Sequence, residues 1–289
     1  MARKATKRSP REPAPQSARS KRVPGLKAGT AAGVRILNCI PSRQTENDWR
    51  FHNALGAGIV AAAPIPSAKD LREKWWSIND QGWTGSCVGW ATVDSVLRWH
   101  FVKAGRLGPT YLLSPRFIWM AAKETDDFTT QPTTFIESDG TSLKAALDVA
   151  RKYGSVVDAV LPFDSCWLFP SEVATFYALA AQLKIASYIN LGRDLAHWRR
   201  WIATKGPILT RLDCDDVWMN AKNTGGTLDV YDPMSVDGGH AVALVGYDPN
   251  LFIVRNSWGT TDWGDQGFGY ASNAYAAAAF TEAYGVNIA

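Results

Sequence analysis

The stretch that decides the fold is Asp237-Gly238-Gly239-His240-Ala241-Val242-Ala243-Leu244-Val245-Gly246-Tyr247, continued across Asp248-Pro249-Asn250 into Leu251-Phe252-Ile253-Val254-Arg255-Asn256-Ser257-Trp258-Gly259. Two apolar runs flank a turn made of Asp, Pro and Asn, which reads as an antiparallel hairpin with strands His240–Tyr247 and Leu251–Asn256. His240 and Asn256 each lie eight residues from Asp248, so a hairpin centred there makes them cross-strand neighbours on one face. A bulge would shift that register. An amide beside an imidazole can hold one ring nitrogen and leave the other for a thiol; as a plain structural feature it is a polar pair at a strand end.

A thiol stands upstream, in Asp80-Gln81-Gly82-Trp83-Thr84-Gly85-Ser86-Cys87-Val88-Gly89-Trp90-Ala91. Ser86 can cap an amphipathic helix running from Cys87 to about Lys103, with Gly105 as its stop. A cysteine in the first turn of a helix meets unpaired N–H groups and a partial positive charge, which favour thiolate. Alone, that placement fits inert packing equally well. A second helix is read at Thr141–Tyr153, where Leu143, Ala146, Leu147 and Ala150 form one stripe, and a third at Asp194–Thr204. From Gly206 the pattern turns to strands at Ile208–Leu212, the hairpin, and Phe268–Ala271. Helices first and strands second predict an α+β fold with two segregated lobes.

The flanks bound what the molecule can be. Residues 1–30 carry nine of the chain's 31 basic residues and one of its 27 acids, leaving a body of 22 basic and 26 acidic residues. That tail, rich in Pro, Ser and Ala, cannot bury enough surface to offset chain entropy and is expected to be disordered. It serves as a solvated leader, as a weak contact for nucleic acid or another anionic surface, or in targeting. No apolar h-region follows the basic start, so no standard signal peptide is read, and the apolar run Ala54–Pro66 is too short to span a bilayer. Localisation stays open on these grounds. Cys39, Cys87, Cys166 and Cys214 form no C-x-x-C pair, and the four histidines show no metal-ligand spacing. A reducing compartment without a metal or other cofactor is expected, with Cys39, Cys166 and Cys214 packed or free. Ordered structure is expected from about Ile65, after a transitional stretch at 31–64.

Taken together these segments resemble the papain family of cysteine peptidases, in its bacterial-type branch. The resemblance rests on Gln81 and Cys87 at Q-x5-C spacing, on His240–Tyr247, and on Asn256-Ser257-Trp258-Gly259 followed by Trp263-Gly264. Leu113-Ser114-Pro115-Arg116-Phe117, Asp139-Gly140-Thr141-Ser142 and the mature-like start at Ile65-Pro66 extend it over about 65–289. It implies a papain-like domain with a helical lobe at about 65–180, a β-rich lobe at about 181–289 and a cleft between them. It also implies that residues 31–64 are a removable leader or short prosegment. Cys87 would be the nucleophile, His240 its base and acid, and Asn256 the orienting amide. Gln81 and the Cys87 N–H would form the oxyanion hole, Trp258 would shield the His240–Asn256 bond, and Gly140 would bind substrate backbone. The implied reaction is hydrolysis of peptide or protein substrates through an acyl-thioester. Transfer of the same thioester to an amine, or peptide binding without catalysis, are the other readings. Departures are Val88 and Thr84, where relatives carry an aromatic and a half-cystine, and a long Cys87–His240 interval of 153 residues.

Overall fold

A computed structural model describes residues 35–127, 129–164 and 168–288. The basic tail read at 1–30, and Cys166, lie outside the described residues. Helices fill the first half. After α1 (Phe51–Gly56) and the short strand β1 (Lys69–Asp70), one helical run is built from α2 (Cys87–Thr92), a π turn at Val93–Leu97 and α3 (Arg98–Lys103). Then come α4 (Pro115–Thr125), α5 (Leu143–Lys152) and α6 (Val173–Ala181). Ser114 and Ser142 cap α4 and α5 by accepting from the N–H groups of Phe117 and Ala145, and Pro115 occupies the first helical position.

The run that starts at Cys87 is not the amphipathic helix the sequence suggests. Residues 87–101 are buried on every side, which makes it the central helix of its lobe. Gly89 lets it approach α4, since a Cβ there would lie 2.6 Å from the Pro115 carbonyl oxygen. Burial on all sides encloses charge, and that charge is paired. The Asp94 carboxylate receives Arg98 at 3.1 Å, Asn79 at 3.1 Å and Arg255, from the other lobe, at 2.9 Å.

The second half supplies β2 (Ser187–Asn190), α7 (Leu195–Thr204), β3 (Ile208–Cys214), α8 (Asp216–Met219), β4 (Thr227–Leu228), β5 (Gly238–Tyr247), β6 (Leu251–Arg255), β7 (Phe268–Ser272), α9 (Asn273–Ala279) and β8 (Phe280–Asn287). They form a sheet in the order β2-β8-β3-β5-β6-β7-β4, with β1 paired to β5. Pairing is antiparallel except between β4 and β7. The architecture is α+β. Among the described residues, no helix is long and apolar enough to cross a membrane.

Two expectations change. In the hairpin, Tyr247 pairs with Phe252 and Gly246 with Ile253, but Leu244 then pairs with Val254 and Ala243 with Arg255. Val245 is the extra residue of a β-bulge, and the turn is centred between Pro249 and Asn250 rather than on Asp248. Continuing that register puts Asn256 opposite Val242, so it reaches His240 diagonally, still on the same face. Order also reaches back to Arg35, well before Ile65. Arg50 bridges to Asn190 on β2, and Phe51 stacks on His197 of α7 at 4.0 Å. Phe51, Ala54 and Val60 are buried in the core, and Arg200 holds the carbonyls of Ala61 and Ala63.

Candidate active site

Cys87 opens the central helix and is fully buried. Ser86 stands at the cap position, but its hydroxyl bonds the Thr84 hydroxyl at 2.6 Å and makes no cap bond. The first-turn N–H groups are therefore not claimed by the expected cap, and their positive end faces the thiol.

From the sheet side, β5 and β6 bring His240 and Asn256 to that thiol. His240 Nε2 donates to Asn256 Oδ1 at 2.8 Å, and both side chains are 0% exposed. The amide thus fixes the Nε2–H tautomer and leaves the buried Nδ1 without a protein partner, while the neighbouring imidazole favours the ionised form of Cys87. Asn256 Oδ1 also accepts from the Ser257 N–H at 2.8 Å, which holds the amide in place. The Trp258 ring lies 4.8 Å from the imidazole and is 3% exposed, so it keeps water from this pair. Trp218, on α8, packs against His240 from another side at 5.6 Å. Sequence reasoning missed Trp218, and no motif around it gives a signal.

Gln81 is fully buried beside this pair. Its backbone N–H donates to the Ser257 carbonyl at 2.9 Å, and Asp80 bridges to Trp258. The loop before the helix is thereby zipped to the segment that follows β6. The carboxamide is held at both ends: Oε1 accepts from the Ser257 hydroxyl at 2.8 Å, and Nε2 donates to the Thr84 carbonyl at 3.0 Å. One Nε2 hydrogen remains for a substrate oxygen.

The electrostatics favour an ionised nucleophile. A hydrogen bond from the Cys39 thiol and the imidazole of His240 hold the Cys87 thiol well below its ordinary value, against burial, which pushes it up; the Ala241 N–H adds to the lowering. Burial, and the neighbouring Cys87, push Cys39 well up. Burial does the same to Cys214. Cys39 was expected to pack or sit free. It is free and packed, and because residues 35–41 cross the cleft it packs beside Cys87.

That crossing is well tied down. Arg35 bonds the Asp80 carboxylate at 2.6 Å and the Gly82 carbonyl at 2.8 Å. Asn38 bridges to Gly239, the residue before His240, and its amide donates to the Ser138 carbonyl. The Cys39 N–H donates to the Gly239 carbonyl at 2.9 Å, and the Ile40 N–H to the Thr141 carbonyl at 3.2 Å. Gly140 lies against this strand of leader, where a Cβ would collide with the Asn38 carbonyl oxygen. The segment bonds to β5 on one wall and to the stretch 138–141 on the other. The Cys39 carbonyl accepts from Arg211 Nε at 2.9 Å.

A buried thiol beside an imidazole that an amide orients is the chemistry of a cysteine-dependent peptidase. The comparisons say which. The family described as "Papain family cysteine protease" matches residues 65–284, and the chain belongs to it. It is 28% identical over 241 residues to "Cathepsin B-like CP3" of Giardia intestinalis, covering 76% of this chain and 73% of that protein. It is 25% identical to "Cathepsin J" of Mus musculus, covering 79% of this chain and 64% of that one. In fold it is similar to xylellain, a cysteine protease from Xylella fastidiosa, with a TM-score of 0.71 at 20% identity over 90% of this chain and all of the other.

Proposed function

We propose that the chain hydrolyses peptide bonds with Cys87 as nucleophile, His240 as base and acid, and Asn256 as the orienting amide. The observation that carries this reading is the 2.8 Å bond from His240 Nε2 to Asn256, which leaves Nδ1 for the thiol. The Cys87 thiolate attacks the peptide carbonyl, and the developing oxyanion takes the free Gln81 Nε2 hydrogen and the Cys87 N–H. The imidazolium protonates the leaving amine, and water, deprotonated by the imidazole, then cleaves the thioester. Gly140 would accept the substrate backbone where the Asn38 backbone now lies.

Residues 35–41 would act as an occluding leader. The segment is seated across the cleft by its own bonds to both walls, the Cys39 carbonyl being held by Arg211. A digest of a peptide library by the purified reduced protein, with Cys87→Ala as control and an epoxide inhibitor as titrant, tests the reading. Cleavage that stops in the variant and with the inhibitor is expected. Cleavage by Cys87→Ala at the parental rate would end the assignment, and products extended by an added amine would redirect it to transpeptidation.

A further inference from the structure

Peptide hydrolysis has no use for a second thiol at the nucleophile, yet the leader delivers one. Cys39 is 2% exposed and Cys87 0%; backbone bonds seat Cys39 on Gly239, the residue before His240, its thiol reaches the Ile40 carbonyl at 3.9 Å, and it is near enough to Cys87 that each thiol shifts the other's ionisation. The contact is not left to a floppy chain. The Cys39 N–H is fixed on Gly239, its carbonyl on Arg211, and the next N–H on Thr141. The same strand, β5, therefore positions both His240 and the opposing thiol. We propose that Cys39 and Cys87 form a reversible disulfide, a redox latch that fastens the leader across the cleft and silences the peptidase under oxidising conditions. The inference rests on the peptidase reading for its consequence, but its chemistry is independent of it.

The oxidant is a hydroperoxide. The Cys87 thiolate attacks one peroxide oxygen, the O–O bond breaks, and the leaving hydroxide takes a proton from the His240 imidazolium to become water. The Cys87 sulfenic acid so formed is opposed by Cys39. The Cys39 sulfur displaces the hydroxyl, which leaves as water with the Cys39 proton, and the S–S bond forms. In total two thiols and one hydrogen peroxide give one disulfide and two waters. A dithiol reverses the latch by thiol–disulfide exchange. Local opening of the leader admits the peroxide without unfolding the body. Without Cys39 the sulfenic acid is exposed to further oxidation, which dithiols do not reverse.

The full chain, reduced and then treated with one equivalent of hydrogen peroxide, is denatured, blocked with N-ethylmaleimide and mapped without reduction by mass spectrometry. A peptide joining Cys39 to Cys87 is expected, lighter by two hydrogens than the separate thiols, with peptidase activity lost in step and regained with dithiothreitol. Cys39→Ser is expected to be active when reduced. After excess peroxide, however, it should recover at least about fivefold less activity than the parent, its Cys87 having passed to the sulfinic acid. Oxidised Cys87 alongside free Cys39, a Cys87–Cys214 pair instead, or equal recovery by both proteins overturns the latch. An active protein without the crosslink sinks the latch alone, whereas a crosslink in a protein inert even when reduced sinks the peptidase reading and supports the pairing.

Discussion

At Gln81 two hydrogen bonds fix a carboxamide whose remaining hydrogen has a single direction to point. Such a donor acts on the transition state, where charge develops on the substrate oxygen, more than on the ground state. Gln81→Ala should therefore lower kcat by about 10²–10³ with little change in KM, as steady-state kinetics on a peptide amide would read; a rise in KM alone would assign Gln81 to binding. His100 shows the opposite use of burial. It lies in α3, and burial, with the charge of Lys205 nearby, pushes it down to about 4. The folded protein keeps it neutral, whereas the unfolded chain takes up a proton below about pH 6.5. The unfolded state thus binds more protons between these values, so stability is full above pH 6.5 and falls as pH drops toward 4. The loss attributable to this group reaches about 3 kcal/mol at the lower end. His100→Leu should flatten that fall, measured as urea midpoints at pH 7 and 4.5; parallel decline in both proteins would clear His100 of the role.

Among the elements, the contact that sets the site is between the central helix and β6. Asp94 sits in the π turn one helical stretch from Cys87, and Arg255 is the last residue of β6, next to Asn256. Their bond at 2.9 Å, with Arg98 and Asn79 completing the cluster, ties the helix that carries Cys87 to the strand that leads into Asn256. Asp94→Ala leaves two buried guanidinium groups without their carboxylate and should cost about 3–5 kcal/mol. Thermal unfolding and kcat should fall together; a stability change under about 1 kcal/mol would mean that water replaces the carboxylate. None of this cluster was legible in the sequence, because an i, i+4 Asp–Arg spacing on a helix does not tell a buried pair from an exposed one. What was legible had short-range causes. The hairpin followed from two apolar runs and a turn, the helix start from its position after a glycine-containing loop, and the helices from their stripes. The bulge at Val245 was hidden, since an all-apolar strand buried on both faces has no alternation to betray an extra residue. Cys39 was hidden for another reason. Its meeting with Cys87 depends on where the leader crosses the cleft, and no local pattern encodes that path.

For the whole molecule, the leader is two things in sequence. Residues 35–41 bond to the cleft walls and add only Cys39 to the core, whereas Phe51, Ala54 and Val60 carry the rest of the leader's core packing. Between them Ser42 is anchored, its N–H donating to Glu282 and its hydroxyl accepting from the Lys144 N–H. Cutting at different points should then separate occlusion from stability. A chain beginning at Arg43 loses the cleft segment and keeps the core residues. If the closed leader outweighs the open one by about 1.4 kcal/mol or more, the competent fraction is a tenth or less, and its removal raises kcat/KM about tenfold or more. The melting temperature should stay within a few degrees of the parent's. A chain beginning at Ile65 should gain no such benefit cleanly. Losing Phe51 from its place on His197 alone is comparable to a buried Phe→Ala change, about 3–5 kcal/mol out of a total of about 5–15 kcal/mol. Activity and melting of the three chains, measured together in dithiothreitol so that no disulfide intervenes, check both halves. Equal kcat/KM for the parent and the Arg43 chain would remove the occluding role. Equal melting of the Ile65 chain would show that residues 45–64 lie on the core without holding it.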